Sequence, residues 1–283
     1  MKDSRSFPYN LVYNRFWVQR ARWIYHAVTS PRITSRSKKF WRETKGIYQG
    51  QRGFVLGNGP SLQMSDLNKL KDEITIASNR IYLAYPETEW RPTFHTCGDR
   101  LVWKKYAKEI CDHADRVIIT SNLFPSKGHP DKIIMGWLLG PSTRAKHGFC
   151  IDQTVGGYFG WTITYSNLQF AAHLGLNPIY LIGCDHYYGG EQHNSKGTDV
   201  TGVIHNGVSH HFHKNYRTAG ERVFSAPVEM MNEAFAIANR EANRHGIQII
   251  NATRGGYLEA FPRANLDDLF PTKVSEQTLP VAP

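Results

Sequence analysis

The tightest constraint on the fold lies in Arg52-Gly53-Phe54-Val55-Leu56-Gly57-Asn58-Gly59-Pro60-Ser61-Leu62. Phe54-Val55-Leu56 is a short apolar run, the pattern of a buried strand. Gly57 and Gly59 let the backbone turn sharply and come close to a ligand. Pro60 has a preset φ and no N–H, which suits the first position of a helix. The spacing therefore predicts a strand, a glycine turn and a helix N-terminus. Free N–H groups and the helix dipole meet there and attract an anion such as phosphate. There is no G-x-x-x-x-G-K-[ST] motif, and Leu62 stands where G-x-G-x-x-G needs its third glycine. The same turn also serves as a plain strand-to-helix connection in any α/β protein.

From residue 52 onward, short apolar runs alternate with helical patterns. Strands are expected at 53–56, 74–78, 93–96, 117–121, 179–183 and 248–251, and helices at 62–70, 100–113, 156–174 and 227–245. Such alternation predicts an α/β fold, a mostly parallel sheet covered on both faces. Ligands bind such sheets beyond the carboxyl ends of the strands. That rule selects Asn58 and Ser61, Ser78-Asn79-Arg80, His95 and Asp99, Asn122, Asp185 to Tyr188, and Asn251 to Thr253.

Two further stretches carry chemistry. Asp152-Gln153-Thr154-Val155-Gly156-Gly157 precedes the long helical pattern, so Thr154 is expected to cap it and the glycines to open its N-terminus. A capped, closely packed helix accounts for the same residues. Gly183-Cys184-Asp185-His186-Tyr187-Tyr188 brings a carboxylate, an imidazole and two phenols to a strand end; Asp185 alone also reads as a loop cap. Six histidines follow between 186 and 213. His210-x-x-His213 and His211-x-His213 match no standard zinc spacing, so proton transfer is the preferred reading over metal. A solvated polar loop is the bland alternative.

Charge divides the chain. Residues 1–50 hold eleven Lys/Arg against two acids, so nine of the ten net positive charges fall there and the rest is nearly neutral. Aromatic residues from Tyr13 to Tyr25 interleave with Arg15, Arg20 and Arg22, and Phe40 and Trp41 continue the theme. Arg/Lys with Trp/Tyr suits an anionic lipid surface; a helical arm packed on the body is the alternative. Nucleic acid is not expected, because the body adds no basic surface. No apolar run is long enough to cross a membrane, and no signal peptide is visible. Four scattered cysteines without a C-x-x-C pair are compatible with a reducing cytosol. The expected domains are an arm at 1–50, a nucleotide-binding transferase domain at 51–270 and a loose tail at 271–283.

Gly57-Asn58-Gly59-Pro60-Ser61-Leu62, Ser78-Asn79-Arg80, Thr154-Val155-Gly156, Ile179 to Asp185 and Ile250-Asn251-Ala252-Thr253 occur here in one order. Together they resemble a Rossmann-like superfamily with two branches: the bacterial CMP-sialic acid transferases of glycosyltransferase family 42, and the MptE-like 6-hydroxymethylpterin diphosphokinases. The run from Asn251 to Arg263 looks like MptE-like proteins of surface-polysaccharide systems. In the transferase branch the resemblance implies that Asn58 and Ser61, with Gly57 and Gly59, hold the nucleotide and its phosphate. Asn79 would contact the donor, with Asp185 close by. Thr154, Val155 and Gly156 would meet phosphate and sugar, although Val155 replaces a hydroxyl residue. Tyr187 would bind the leaving phosphate; its usual tyrosine partner falls near His193. The base would be a histidine of the same loop, His211 in the first place, with His210 and His213 as the alternatives.

That resemblance implies a nucleotide-dependent transferase moving a CMP-activated acidic sugar onto a glycan or glycolipid in surface-glycan assembly. It would use no metal or other cofactor, with fixed donors stabilising the cytidylate phosphate. The diphosphokinase branch implies ATP and Mg²⁺ instead, with Asp99 and Asp185 as metal carboxylates. A non-catalytic glycan- or membrane-binding module is the third reading. The expected location is cytoplasmic, peripheral at the inner membrane face through residues 1–45, and a homo-oligomer is compatible with the chain.

Overall fold

The structure is a computed structural model that describes residues 34–120, 131–136, 138–141, 148–188, 202–205 and 210–270. Residues 1–33 of the expected arm, the tail 271–283, Asn122 and His193 lie outside the described residues.

Seven parallel strands form the central sheet: β1 Gly53–Leu56, β2 Ile74–Ser78, β3 Phe94–Cys97, β4 Val117–Ile119, β5 Ile133–Met135, β8 Ile179–Ile182 and β11 Ile249–Asn251. Their order is β11-β8-β1-β2-β3-β4-β5, all parallel, which makes the fold an α/β Rossmann-like one. The chain runs outward from β1 to β5, then returns to the other side of β1 as β8. The β1–β8 pair is therefore the topological switch point, where open α/β sheets present a crevice.

Period-2 alternation decides what each face buries. Val55, Ile76, Ile118, Ile179, Leu181 and Ile249 point to one face, which is covered by α4 Ile163–His173 and α5 Val228–Arg244. Phe54, Leu56, Ala77 and Ile182 point to the other, under α2 Met64–Lys69, and Val117 and Ile119 meet α3 Arg100–Asp112. Two small pairs lie outside the sheet: β6 Leu138–Pro141 with β7 Gly157–Phe159, and β9 Gly202–Ile204 with β10 Arg222–Phe224.

Three expectations need correction. First, the described part of the basic aromatic stretch, residues 34–50, is packed on the body, which is the alternative reading and not the lipid-surface one. Helix α1, Ser35–Thr44, is capped by Thr34 Oγ1, which accepts from Ser37 N–H at 3.1 Å. Phe40 and Trp41 are buried in the core, and the Trp41 ring meets Phe170 edge-on at 5.3 Å. Trp41 Nε1–H donates to Met135 O at 2.9 Å, and Met135 N–H donates to Ser37 Oγ at 3.0 Å, tying α1 to edge strand β5. These two aromatics are packed against protein and not presented to a lipid surface.

Second, α4 begins at Ile163 and not at Gly156; Gly157–Phe159 is a strand. Gly160 marks the break, because a Cβ there would stand 2.2 Å from Tyr165 Cγ. Third, α2 begins at Met64, so Pro60 lies in the turn before it and not at a first helical position.

Trp41→Ala removes a large core ring and orphans the Met135 carbonyl. We expect destabilisation of roughly 3–5 kcal/mol, read from urea unfolding. A change within error would place Trp41 outside the core.

Candidate functional site

One cavity of about 660 Å³ opens at the carboxyl ends of the strands. The turns after β1 (Gly57, Asn58, Gly59), β2 (Asn79), β3 (Gly98, Asp99) and β8 (Gly183 to Tyr188) all contribute to its wall, as does Thr120 beyond β4. Its size is that of a small-molecule site.

The glycine turn is built by close approach. Gly57 N–H donates to Ile182 O at 2.8 Å and Gly59 N–H to Gly183 O at 2.9 Å. A Cβ on Gly57 would sit 2.2 Å from Gly183 O, and one on Gly59 would sit 1.9 Å from Asp185 Oδ2. Ser61 N–H donates to Asp185 Oδ1 at 3.2 Å, and Ser61 Oγ donates to Asp185 Oδ2 at 2.8 Å. The donors expected for phosphate are thus engaged by the chain's own carbonyls and by the Asp185 carboxylate. Ser61 stands behind the wall, while Asp185 forms part of it. Burial pushes the Asp185 carboxyl above its ordinary pKa, against the pull of the Ser61 hydrogen bonds.

Asn58 and Asn79 line the cavity as expected. Asn58 Nδ2 reaches Ser78 Oγ at 3.2 Å. Asn79 has φ +54°, a conformation asparagine tolerates better than most residues. Its carbonyl accepts from His95 Nε2–H at 2.8 Å, which leaves His95 in the core and off the wall. Asn251 and Thr253 also act from behind. Thr253 Oγ1 accepts from Cys184 N–H at 3.1 Å and so holds the turn after β8.

Thr154, Val155 and Gly156 do not reach the cavity. Thr154 is folded onto Asp152, whose Oδ1 accepts from its N–H at 3.0 Å and its hydroxyl at 2.6 Å, and Val155 is 54% exposed. The helix N-terminus that does face the cavity belongs to Thr162-Ile163-Thr164, with Ser166 one turn on. Thr162 Oγ1 caps it, accepting from Thr164 N–H at 3.3 Å. Sequence reasoning missed this element. The signal was present as Gly160, a breaker, followed by Thr162, a capping residue. Phe159, Trp161 and Phe224 add an aromatic wall, and Arg100 adds a cation.

Tyr187 and His211 both line the cavity. Tyr187 is 46% exposed at the mouth, its ring edge-on to His210 at 5.6 Å. His211 lies deeper, stacked on Tyr216 at 3.9 Å and 9°. Burial, reinforced by the Arg217 charge, pushes its pKa down to about 3. The 210–217 segment is docked on the sheet. Phe212 N–H donates to Asn58 O at 3.0 Å, and Arg80 donates to Asn215 O at 2.8 Å and Tyr216 O at 2.5 Å. Arg80 itself lies 3.7 Å from the Tyr106 ring centre. His213 does not line the cavity, whereas His210 and His205 do. His186 is a further imidazole in the wall. Its Nε2 donates to Asn232 Oδ1 at 2.7 Å, and its Nδ1 is met by the Tyr188 hydroxyl at 3.5 Å.

The two carboxylates nearest the cavity are committed. Asp99 caps α3 through Leu101 N–H and Val102 N–H, and it pairs with Arg217 at 3.0 Å. Asp185 is held by Ser61. Among the described residues, no three His, Cys, Asp or Glu groups gather as a metal-binding set. Among the same residues, no helix is long and apolar enough to cross a membrane.

No family model matches the chain, and no curated protein matches it. Among solved structures, the MAf glycosyltransferase from Magnetospirillum magneticum AMB-1 is similar at 13% identity and a TM-score of 0.47. The likeness covers 89% of this chain and 41% of that one, so the chain spans less than half of that protein's length. The cavity's own geometry is what bears on its chemistry.

The buried histidines make acid stability a direct check. Burial holds His95 and His173 at about 4 and His211 at about 3. Unfolded, each titrates at about 6.5. Between that value and the folded one, the unfolded chain binds more protons, so stability falls as pH falls. The contribution of these groups is flat above about pH 6.5 and declines below it, by up to ~1.4 kcal/mol per pH unit for each histidine. Thermal melts should show that profile. A midpoint unchanged from about pH 7 to about pH 5 would contradict the burial of these rings.

Proposed function

We propose that the protein is a nucleotide-dependent glycosyltransferase that uses a CMP-activated acidic sugar and acts on a glycan or glycolipid acceptor. The observation that carries this reading is the cavity at the β1–β8 switch point, with α4's N-terminus in one wall and Asp185-His186-Tyr187 in another. Loss of a sugar from its nucleotide builds charge on the leaving phosphate. A helix N-terminus with Thr162, Thr164 and Arg100 beside it provides fixed positive potential for that charge. The phosphate role carried by Thr154 to Gly156 in the resemblance passes, on this reading, to Thr162 and Thr164. Asn58 and Asn79 offer amides to the nucleoside, and Tyr187 stands at the mouth.

The diphosphokinase reading needs carboxylates open to Mg²⁺. Asp99 is engaged by its helix and by Arg217, and Asp185 by Ser61. That favours glycosyl over diphosphoryl transfer. His211 is the proposed base, and His186, which lines the same wall with its Nδ1 beside the Tyr188 hydroxyl, is the second candidate.

Thermal-shift titration separates the readings, since only a ligand that binds the folded state raises the midpoint. CMP is expected to stabilise without Mg²⁺, and ATP with Mg²⁺ not to. The reverse pattern would install the diphosphokinase. With the correct donor and acceptor, His211→Ala should lower turnover by roughly 10²–10⁴-fold and leave CMP binding near normal. If His211→Ala keeps its turnover and His186→Ala loses it, the base is His186.

We assign membrane attachment at the inner face to residues 1–33, because Phe40 and Trp41 are used in the core. Deleting 1–33 should release the protein from anionic vesicles and keep its melting midpoint. Retained vesicle binding by the shortened, folded protein would remove the membrane reading.

A further inference from the structure

The loop after β11 is tied to the body at several points. Arg254 pairs with Asp66 at 2.8 Å and Asp267 at 2.7 Å. Arg263 donates to Thr253 O at 2.8 Å and also to Gly255 O. Asn251 Nδ2 donates to Leu258 O at 2.8 Å. Tyr257 N–H donates to Asp185 O at 2.8 Å, which ties the loop to the turn after β8. Gly255 and Gly256 take φ of +71° and +78°, and a Cβ on Gly256 would lie 2.8 Å from Asp185 O. Only glycine allows both that backbone and that approach.

This order presents one large apolar side chain to solvent. Tyr257 is 69% exposed, the most exposed large apolar side chain among the described residues. Its ring lies 5.9 Å from that of Tyr187, tilted by 39°. Tyr187 lines the cavity and Leu258 does too, but Tyr257 stands just outside the wall. The two phenols therefore form a ledge leading out of the mouth. A fixed aromatic face with a polar tip is a common binding element, because it offers a large contact area with little side-chain entropy to lose.

We infer that Tyr187 and Tyr257 form a platform for a pyranose ring of the acceptor glycan, stacked by its C–H face. This rests on the transferase reading. A nucleotide-sized donor is accommodated within the cavity. A ligand that reaches Tyr257 must extend past Tyr187 into solvent, as a multi-ring acceptor does. The phenol tips can bond ring hydroxyls while the faces meet C–H groups, a match to a pyranose that a purely apolar patch lacks.

The test is saturation-transfer NMR on the full chain with methyl β-glucoside, methyl β-galactoside and lactose, each with and without CMP. Wild type should transfer saturation mainly to the C–H protons of one ring face of at least one probe. Tyr257→Ala should weaken that binding by roughly tenfold, and Tyr257→Trp should retain it. The melting midpoint without ligand, measured on the same samples, should be unchanged by either variant and shows that each is folded; the CMP shift should be unchanged as well. Saccharide binding by Tyr257→Ala equal to wild type, or none by wild type to any probe, overturns the platform. Saccharide binding that depends on Tyr257 with no CMP shift upholds the platform and overturns the nucleotide donor.

Discussion

The contact on which the rest depends is the meeting of two turns at the switch point. Gly57 and Gly59 pack against Gly183 and Asp185 so closely that neither glycine has room for a Cβ. Their N–H groups complete the β1–β8 ladder one step beyond the strands. Because those turns touch, Asp185 reaches Ser61, Thr253 reaches Cys184, and the loop holding Gly256 lies on the Asp185 backbone. The cavity floor is thus one cross-braced unit and not three separate loops. An added methyl at Gly57 would collide with backbone, which cannot move aside as a flexible side chain does.

A second brace works from the opposite side. Arg80 grips two carbonyls of the 210–217 segment, and Arg217 joins Asp99 to Glu221 at 3.0 Å each. Burial opposes ionisation of Glu221, yet hydrogen bonds from Thr218 and Arg217 hold its pKa at about 2. Buried charge of this kind is costly to break, because either partner left alone is an uncompensated ion. The consequence for function is positional: His211 and Tyr216 are held against the glycine turn through Phe212 N–H and Asn58 O.

How much of this was legible in the chain varies by element. The strands at Phe54, Ile76 and Ile179 were readable because central parallel strands are apolar on both faces and bounded by polar turns. The β8 cluster from Asp185 to Tyr188 followed from the strand-end rule, which is a rule of topology and not of composition. The place of Thr162 and Thr164 in the cavity wall is not legible in the sequence, because Gly156-Gly157 reads as the stronger helix opening. A glycine pair does not show whether a helix or a strand follows, and here Gly157 starts β7. Ser61 is expected as a donor to a phosphate, but its N–H and Oγ go to Asp185 of the same chain, a long-range partner that no local pattern reveals. Phe40 and Trp41 failed for a related reason. Aromatic residues among arginines suit a lipid surface and a capped amphipathic helix alike, and only the position of β5 and α4 decides between them.

The electrostatics of His211 give the proposed chemistry its order. With burial and Arg217 both disfavouring the imidazolium, the ring is neutral near pH 7 but a weak proton acceptor. A base that weak gains little from its position alone, since efficient proton transfer wants a pKa near the working pH. Anionic donor in the cavity would change that balance. Arg217 lines the same cavity, so a donor anion bound there would offset part of the charge that suppresses the imidazolium. On the transferase reading, His211 therefore becomes competent when donor is bound, and an acceptor hydroxyl is not activated over an empty nucleotide site.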